Sequence, residues 1–283
     1  MYNKDNKRMS ISFIAKPIFF KSGIKGGVYP ARLSSRVRGE EIAEYLGETY
    51  TSDATYDKSG IRIHLKPRHL RYVKDGDYVD VLDEIELIPM LKERPTVKVI
   101  SMSQTHHNYL RNEIKNEIFL IHHHHINFEK FRRKRNDILT GGMIGHHINA
   151  YDVYDQIKKR LGEVGIEFVS AFNYKIRQDM VDFFKKIDFL VTWWSSYNLT
   201  AFRGHPTKII NAASFGIPSL SQFSPGYREF EGFYIQIGDM DSLVEEAIKL
   251  KDADYYNQWS DKVFKEAEKY HISNIAKLYR KLR

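Results

Sequence analysis

The chain has 283 residues, 42% of them hydrophobic and 28% charged, enough for two α/β units of ordinary size or one large one. It contains no cysteine, which excludes disulfides, thiolate metal sites and a cysteine nucleophile and agrees with a reducing compartment. A net charge of +8 favours polyanions such as nucleotide phosphates, nucleic acid or an anionic membrane face, while the polar start MYNKDNKRMS and the lack of any membrane-length apolar run predict a cytoplasmic protein with at most peripheral membrane contact.

An apolar strand, ISFIAKPIFF, opens the first half. It runs into a glycine-bearing loop, KSGIKGGVYPARLSS, and an amphipathic helix from about Ser35 to Leu46, closed by Gly47. Strand, loop and helix in this order suit phosphate contacts, so Gly26, Gly27 and Arg36 are candidates to touch a phosphate, or an acceptor, from this side. Strand candidates follow at IRIHL, YVDVL, KVISMS and EIFLIH, with helices at ELIPMLKE and THHNYLRNEIKN. That alternation predicts a parallel sheet with helices on its faces.

Four histidines, 122 to 125, extend the last of these strands. Strand alternation would send His122 and His124 to one face and His123 and His125 to the other, so no more than a pair meets on one side and no metal site is expected. The charged run NFEKFRRKRN, 127 to 136, breaks the pattern and puts the domain boundary between residues 133 and 134. The basic stretches RRKR at 132 to 135, HLKPRHLRYVK at 64 to 74 and the terminal YRKLR read as solvated faces or linker.

In the second half, strands are expected near DILTGGM, IEFVSAF, DFLVTWW, IPSLSQ and FYIQIG. Helices are expected at AYDVYDQIKKRLGEV, YKIRQDMVDFFKKI, HPTKIINAASF and DMDSLVEEAIKL, the last capped by Ser242 or Asp241. The segment from Tyr255 onward reads as one long amphipathic stretch. In open parallel sheets ligands lie outside the carboxyl ends of the strands. The loops there include Ser103 to Asn108, His122 to Asn127, Gly141 to His147, Phe172 to Tyr174 and Trp193 to Lys208. Gly142, Gly145 and His146 fall in a strand-to-helix loop that brings backbone N–H groups near an anion.

The most informative stretch is RGHPTKIINAASFGIPSLSQFSPGYRE, 203 to 229. Pro206 suits a first helical turn, and Thr207 and Lys208 follow beside N–H groups that have no intrahelical acceptor. The helix dipole and the Lys208 charge together suit a diphosphate, with the Asn211 amide one turn on for a sugar or ribose hydroxyl. Gly216 then ends the helix, and Glu229 offers a carboxylate to sugar hydroxyls.

The pattern PTKIINAASFGIPSL followed by YRE resembles the C-terminal domain of GT-B glycosyltransferases, over roughly residues 137 to 283. The best-known retaining members carry an acidic residue that holds the donor ribose where this chain has Asn211, and a Lys-Asn version resembles some bacterial members. The resemblance implies two Rossmann-like domains facing a cleft, with residues 1–133 for the acceptor, 134–283 for the donor, and a terminal helix crossing back. It implies transfer of a sugar, metal-independently, from a nucleotide-diphosphate sugar such as a UDP-sugar to a glycan, lipid-linked sugar, protein or modified DNA base. It also places Phe172 and Tyr174 at the nucleotide base.

For that chemistry Lys208 and Arg203 are candidates to stabilise the leaving diphosphate, and His106, His107 and His124 are candidate bases. Two rivals are a nucleotide- or nucleic-acid-binding module of the same fold without turnover, and an epimerase acting on a nucleotide-sugar.

Overall fold

In a computed structural model, residues 9–16, 34–58, 60–145, 151–193 and 206–282 are described. Two all-parallel sheets, each with helices against it, form an α/β architecture of two Rossmann-like halves, as expected. The first sheet holds β1 (Ile11–Ala15), β2 (Thr49–Thr51), β3 (Ile61–Leu65), β4 (Tyr78–Asp80), β5 (Lys98–Ser101) and β6 (Ile118–Leu120) in the order β2-β1-β3-β4-β5-β6. The second holds β7 (Thr140–Ile144), β8 (Glu167–Ala171), β9 (Phe189–Thr192), β10 (Ser219–Gln222) and β11 (Ile235–Ile237), in the order β11-β10-β9-β7-β8.

The two orders are the same topology used twice, since in each half the second strand lies on one side of the first and the third lies on the other. Each sheet therefore has a switch point, between β1 and β3 and between β7 and β9, where connections leave in opposite directions and open a crevice at the strand ends. The central strands are buried on both faces, and every residue of β1, β3 and β7 is buried, although β3 alternates its apolar residues with Arg62 and His64.

The first helix is α1 (Ser34–Arg36), followed by a π-turn, Val37–Glu41, and α2 (Ile42–Leu46), which Gly47 ends at φ 67°. The rest of this half carries α3 (Ile88–Lys92) and α4 (Gln104–Glu113), the latter capped by Ser103 Oγ on the His106 N–H. The second half supplies α5 (Tyr151–Glu163), α6 (Arg177–Phe184), α7 (Thr207–Ser214), α8 (Met240–Lys249) and α9 (Ala253–Ala267). The α8 cap is Asp239 in a reciprocal box with Ser242, a correction to the expected Asp241 or Ser242, because the carboxylate three residues before Ser242 reaches its N–H at 2.8 Å.

The terminal segment is not one helix. A short 3-10 turn, Glu268–Tyr270, and the His271 cap separate α9 from α10 (Ile272–Tyr279). Helix α10 crosses back as expected: Tyr279 meets the edge of Phe13 at 5.3 Å between ring centroids, and Arg280 binds the Glu48 carboxylate and the Leu46 carbonyl. One core cluster consequently joins Phe13, Ile42 and Ile63 of the first half to Ile209, Phe230 and Ile275 of the second.

The connection between the sheets is mostly exposed but tied to the rest of the chain. Lys130 pairs with Glu268, Arg132 with Asp261, and Arg133 with Asp188, while Arg135 binds the Lys251 carbonyl. Asn127 bridges the carbonyls of Phe131 and Ser214. Of the run 132 to 135, Arg132 and Arg133 have acidic partners and Arg135 a carbonyl, while most of the segment stays exposed, in keeping with its reading as a linker.

Candidate functional site

The crevice at the β7/β9 switch point is built by the end of β7 and the start of α7. Pro206 occupies the α7 N-cap position, and Ile210 donates the first intrahelical bond to its carbonyl at 2.9 Å, so the N–H groups of Thr207, Lys208 and Ile209 point out of the helix end. From the other side β7 is followed by Gly145, whose φ of +153° disfavours any residue with a side chain. A Cβ there would lie 2.9 Å from Lys208 Nζ. The lysine ammonium therefore rests on bare backbone at the strand end, where the two strand-end loops meet.

Desolvation lowers the Lys208 pKa from 10.5 to about 8. A charge held in so poorly hydrated a place gains more from an incoming anion than a solvated lysine would. Beside the crevice, Phe172 follows β8 and sets its ring edge against Tyr154 at 5.5 Å, and Tyr174 packs on the cluster around Phe184 and Phe215.

Other nominated residues are placed differently. Gly142 is interior to β7, paired with Val169 and Leu190, and a Cβ on it would meet Ile187 at 2.5 Å and Phe183 at 2.7 Å. Its glycine serves close packing, a correction to the phosphate-facing role. Arg36 gives its guanidinium to Glu40 one turn on, through both Nε and Nη2. Gly26, Gly27, His146 and Arg203 lie outside the described residues.

Asn211 and Glu229 both tie the halves together. Asn211 is buried with its Oδ1 accepting the Ile126 N–H at 3.1 Å, while Arg177 takes the Ile126 carbonyl at 2.8 Å. Both polar groups of one connecting residue are thereby clamped, and the amide oxygen expected to face a ribose is already used. Glu229 accepts the Gln104 N–H at 2.9 and 3.0 Å and approaches His122 Nε2 at 3.2 Å. Its carboxylate caps α4 across the boundary instead of standing open to sugar hydroxyls.

The candidate bases also have defined partners. His106 is buried at the start of α4, and burial first and Arg38 second lower its pKa to about 4, so it is neutral above pH 5 and a weak base. Arg38 itself is held by Asp80 at 2.6 Å and the Ile121 carbonyl at 2.8 Å. Burial and Arg111 lower His107, whose Nδ1 lies 3.2 Å from Ser101 Oγ. His124 is buried against Glu41, 2.7 Å from its carboxylate. The four histidines do not continue β6, which stops at Leu120. His122, His124 and His125 turn instead to Glu229, Glu41 and His271, and no three metal-ligating side chains converge among the described residues.

Sequence reasoning missed the inter-half roles of Asn211 and Glu229, for which a local pattern carries no signal, because their partners lie 85 and 125 residues away. Among the described residues no helix is long and apolar enough to cross a membrane.

No family model and no curated protein matches the sequence. Several solved structures match the fold. AviGT4, a glycosyltransferase involved in avilamycin A biosynthesis, is 11% identical with a TM-score of 0.55, the match covering 97% of this chain and 98% of that one. Anabaena HepE in complex with UDP-glucose is 12% identical at a TM-score of 0.56, covering 95% and 97%. An S. aureus TarM variant in complex with UDP is 12% identical at 0.58, covering 78% of this chain and 55% of that one. The chain also spans only 56% of the matched chain from the GtfA/B complex. The repeated sheet order, the crossing α10 and these likenesses agree that the chain has the GT-B fold of glycosyltransferases.

Proposed function

We propose that the protein is a glycosyltransferase that takes a sugar from a nucleotide-diphosphate donor, a UDP-sugar first among them, and delivers it to an acceptor hydroxyl. The observation that carries this reading is the Lys208 ammonium seated over Gly145 at the start of α7, at the switch point of the second sheet. A diphosphate there would meet one full positive charge and the outward N–H groups of a helix end, which together offset the charge that grows on the leaving group.

In the transfer the bond from the anomeric carbon to the diphosphate oxygen breaks and a bond to the acceptor oxygen forms. The acceptor proton must leave as this happens. With His106 held neutral by a pKa near 4, His107 lowered by burial and Arg111 and set against Ser101, and His124 bound to Glu41, the departing diphosphate oxygen is our choice for the proton's destination. UDP in the HepE and TarM complexes supports the choice of nucleotide.

Calorimetric titration of UDP, GDP, ADP and dTDP, then their sugar conjugates, into wild type and Lys208→Ala tests the reading. One nucleotide should bind and lose at least about tenfold in affinity in the variant. Absence of binding by a folded protein would remove the donor site.

A second reading, nucleotide-sugar binding without transfer, draws on Asn211 and Glu229, whose oxygens are engaged between the halves. Hydrolysis or transfer of the bound donor sugar, followed by release of free nucleotide, separates the two.

A further inference from the structure

The first sheet has its own crevice. A cavity of about 430 Å³ opens at the carboxyl ends of β1 and β3, the switch point that corresponds to the Lys208 crevice in the second sheet. Ile14, Leu65, Pro67 and the Tyr72 ring give it mostly apolar walls. The cavity has the volume and lining of a small-molecule site.

Its frame is rigid. Arg62 is buried and reaches the carbonyls of Ala54 and Tyr72, both at 3.2 Å, and pairs with Asp77, which also holds His64 at 3.1 Å. These bonds fix two of the cavity's walls to β3, so an occupant need not order them.

Charge at the mouth is uneven. Lys16 and Lys66 share Glu84, and Lys66 also pairs with Asp83. Arg68 lines the cavity, and Arg71 lies over the Tyr72 ring at 4.3 Å. Neither arginine has an acidic partner among the described residues. The basic stretch 64 to 74, read from sequence as a solvated face, thus sorts into neutralised members and two arginines without an acidic partner among the described residues, of which Arg68 stands at the cavity wall.

We propose that this cavity binds an acceptor with an apolar body and an attached phosphate, the body against Ile14, Leu65 and Tyr72 and the phosphate at Arg68. Its role as acceptor site rests on the transferase reading, whereas the binding itself does not. An apolar wall alone would select any small hydrophobe; the unbalanced arginines add the requirement for an anion, and a guanidinium matches a phosphate through two parallel N–H bonds.

The test titrates octyl phosphate, octanol and inorganic phosphate into the full chain by calorimetry. It compares wild type, Arg68→Ala and Ser52→Phe, the last of which fills the cavity from its wall. Octyl phosphate is expected to bind at least about tenfold tighter than octanol or inorganic phosphate and to lose about tenfold in Arg68→Ala and more in Ser52→Phe. Its affinity should also fall as salt rises, since Arg68 is exposed.

Equal binding by both variants, equal affinity for octanol, equal affinity for inorganic phosphate, or no octyl phosphate binding by the folded chain would each overturn the proposal. UDP titrated into the same proteins keeps the two sites apart. Octyl phosphate binding without UDP binding would sink the donor site and leave the cavity standing, and the converse would do the opposite.

Discussion

Replacing Lys208 by methionine should make the protein more stable and less able to hold a nucleotide. The methionine keeps most of the stem and removes the ammonium. The fall in pKa from 10.5 to about 8 corresponds, at 1.36 kcal/mol per unit, to about 3 kcal/mol spent in the folded protein on keeping that charge poorly hydrated. Partners of the lysine reduce the gain, so about 1–3 kcal/mol is expected at pH 7, or roughly 2–5 °C in Tm for a chain of this length.

The sign with pH follows from the same shift. Between pH 8 and 10.5 the unfolded chain holds the lysine proton and the folded chain does not, so wild-type stability rises with pH in that window and the gap to Lys208→Met closes. Thermal melts at pH 7, 8, 9 and 10, with UDP titrations alongside, measure both halves of the expectation. A variant that melts lower than wild type at pH 7 and binds UDP as well as wild type does would refute the account of Lys208 as a charge held ready for an anion.

If a diphosphate restores the proton to Lys208, calorimetry of UDP binding at pH 8 in buffers of different ionisation enthalpy should show uptake of about half a proton, falling towards zero at pH 6.5. Gly145→Ala should cost about 1–2 kcal/mol through its φ of +153° and displace the ammonium above it, weakening UDP about tenfold while a control at Gly47 changes stability only. Glu229→Gln should lower stability by about 1 kcal/mol by weakening the α4 cap, with the KM for donor unchanged; a raised KM would return the carboxylate to the sugar. Acid should destabilise the protein from pH 6.5 downward, because the unfolded state protonates His106 and the folded state does not until about pH 4. Denaturation midpoints should give about 2 kcal/mol of loss at pH 5 from this residue, and His106→Gln should flatten that slope.

Apolar runs and the spacing of glycines made most of the architecture readable from sequence. β1 is a nearly unbroken apolar run, β3 shows itself by Ile61, Ile63 and Leu65 at every second place, and Gly47 closes α2 where the sequence places a stop. β2 escaped because TYT is half-buried and too short to show a period. The π-turn at Val37–Glu41 escaped because a widened turn leaves the apolar spacing of the helix nearly unchanged.

At the site, the meeting of Lys208 with the end of β7 was readable because both belong to loops after parallel strands. The role of Gly142 was not, since a glycine that admits Ile187 and Phe183 has the same letter as one that admits a phosphate. Asn211 and Glu229 show the wider limit: their residue types suit a ligand, and only the fold reveals that a backbone N–H arrives first.

Helix α10 bears on how the protein is made. Its Tyr279 and, just beyond it, Leu282 complete the core around Phe13 and Ile63, and Arg280 closes on Leu46 from 234 residues further along the chain. A ribosome therefore releases the first sheet long before its last packing partner exists, and that sheet must wait with apolar surface uncovered. Nascent chains stalled just before α10 should consequently recruit chaperones and yield to protease, and should gain resistance when α10 emerges.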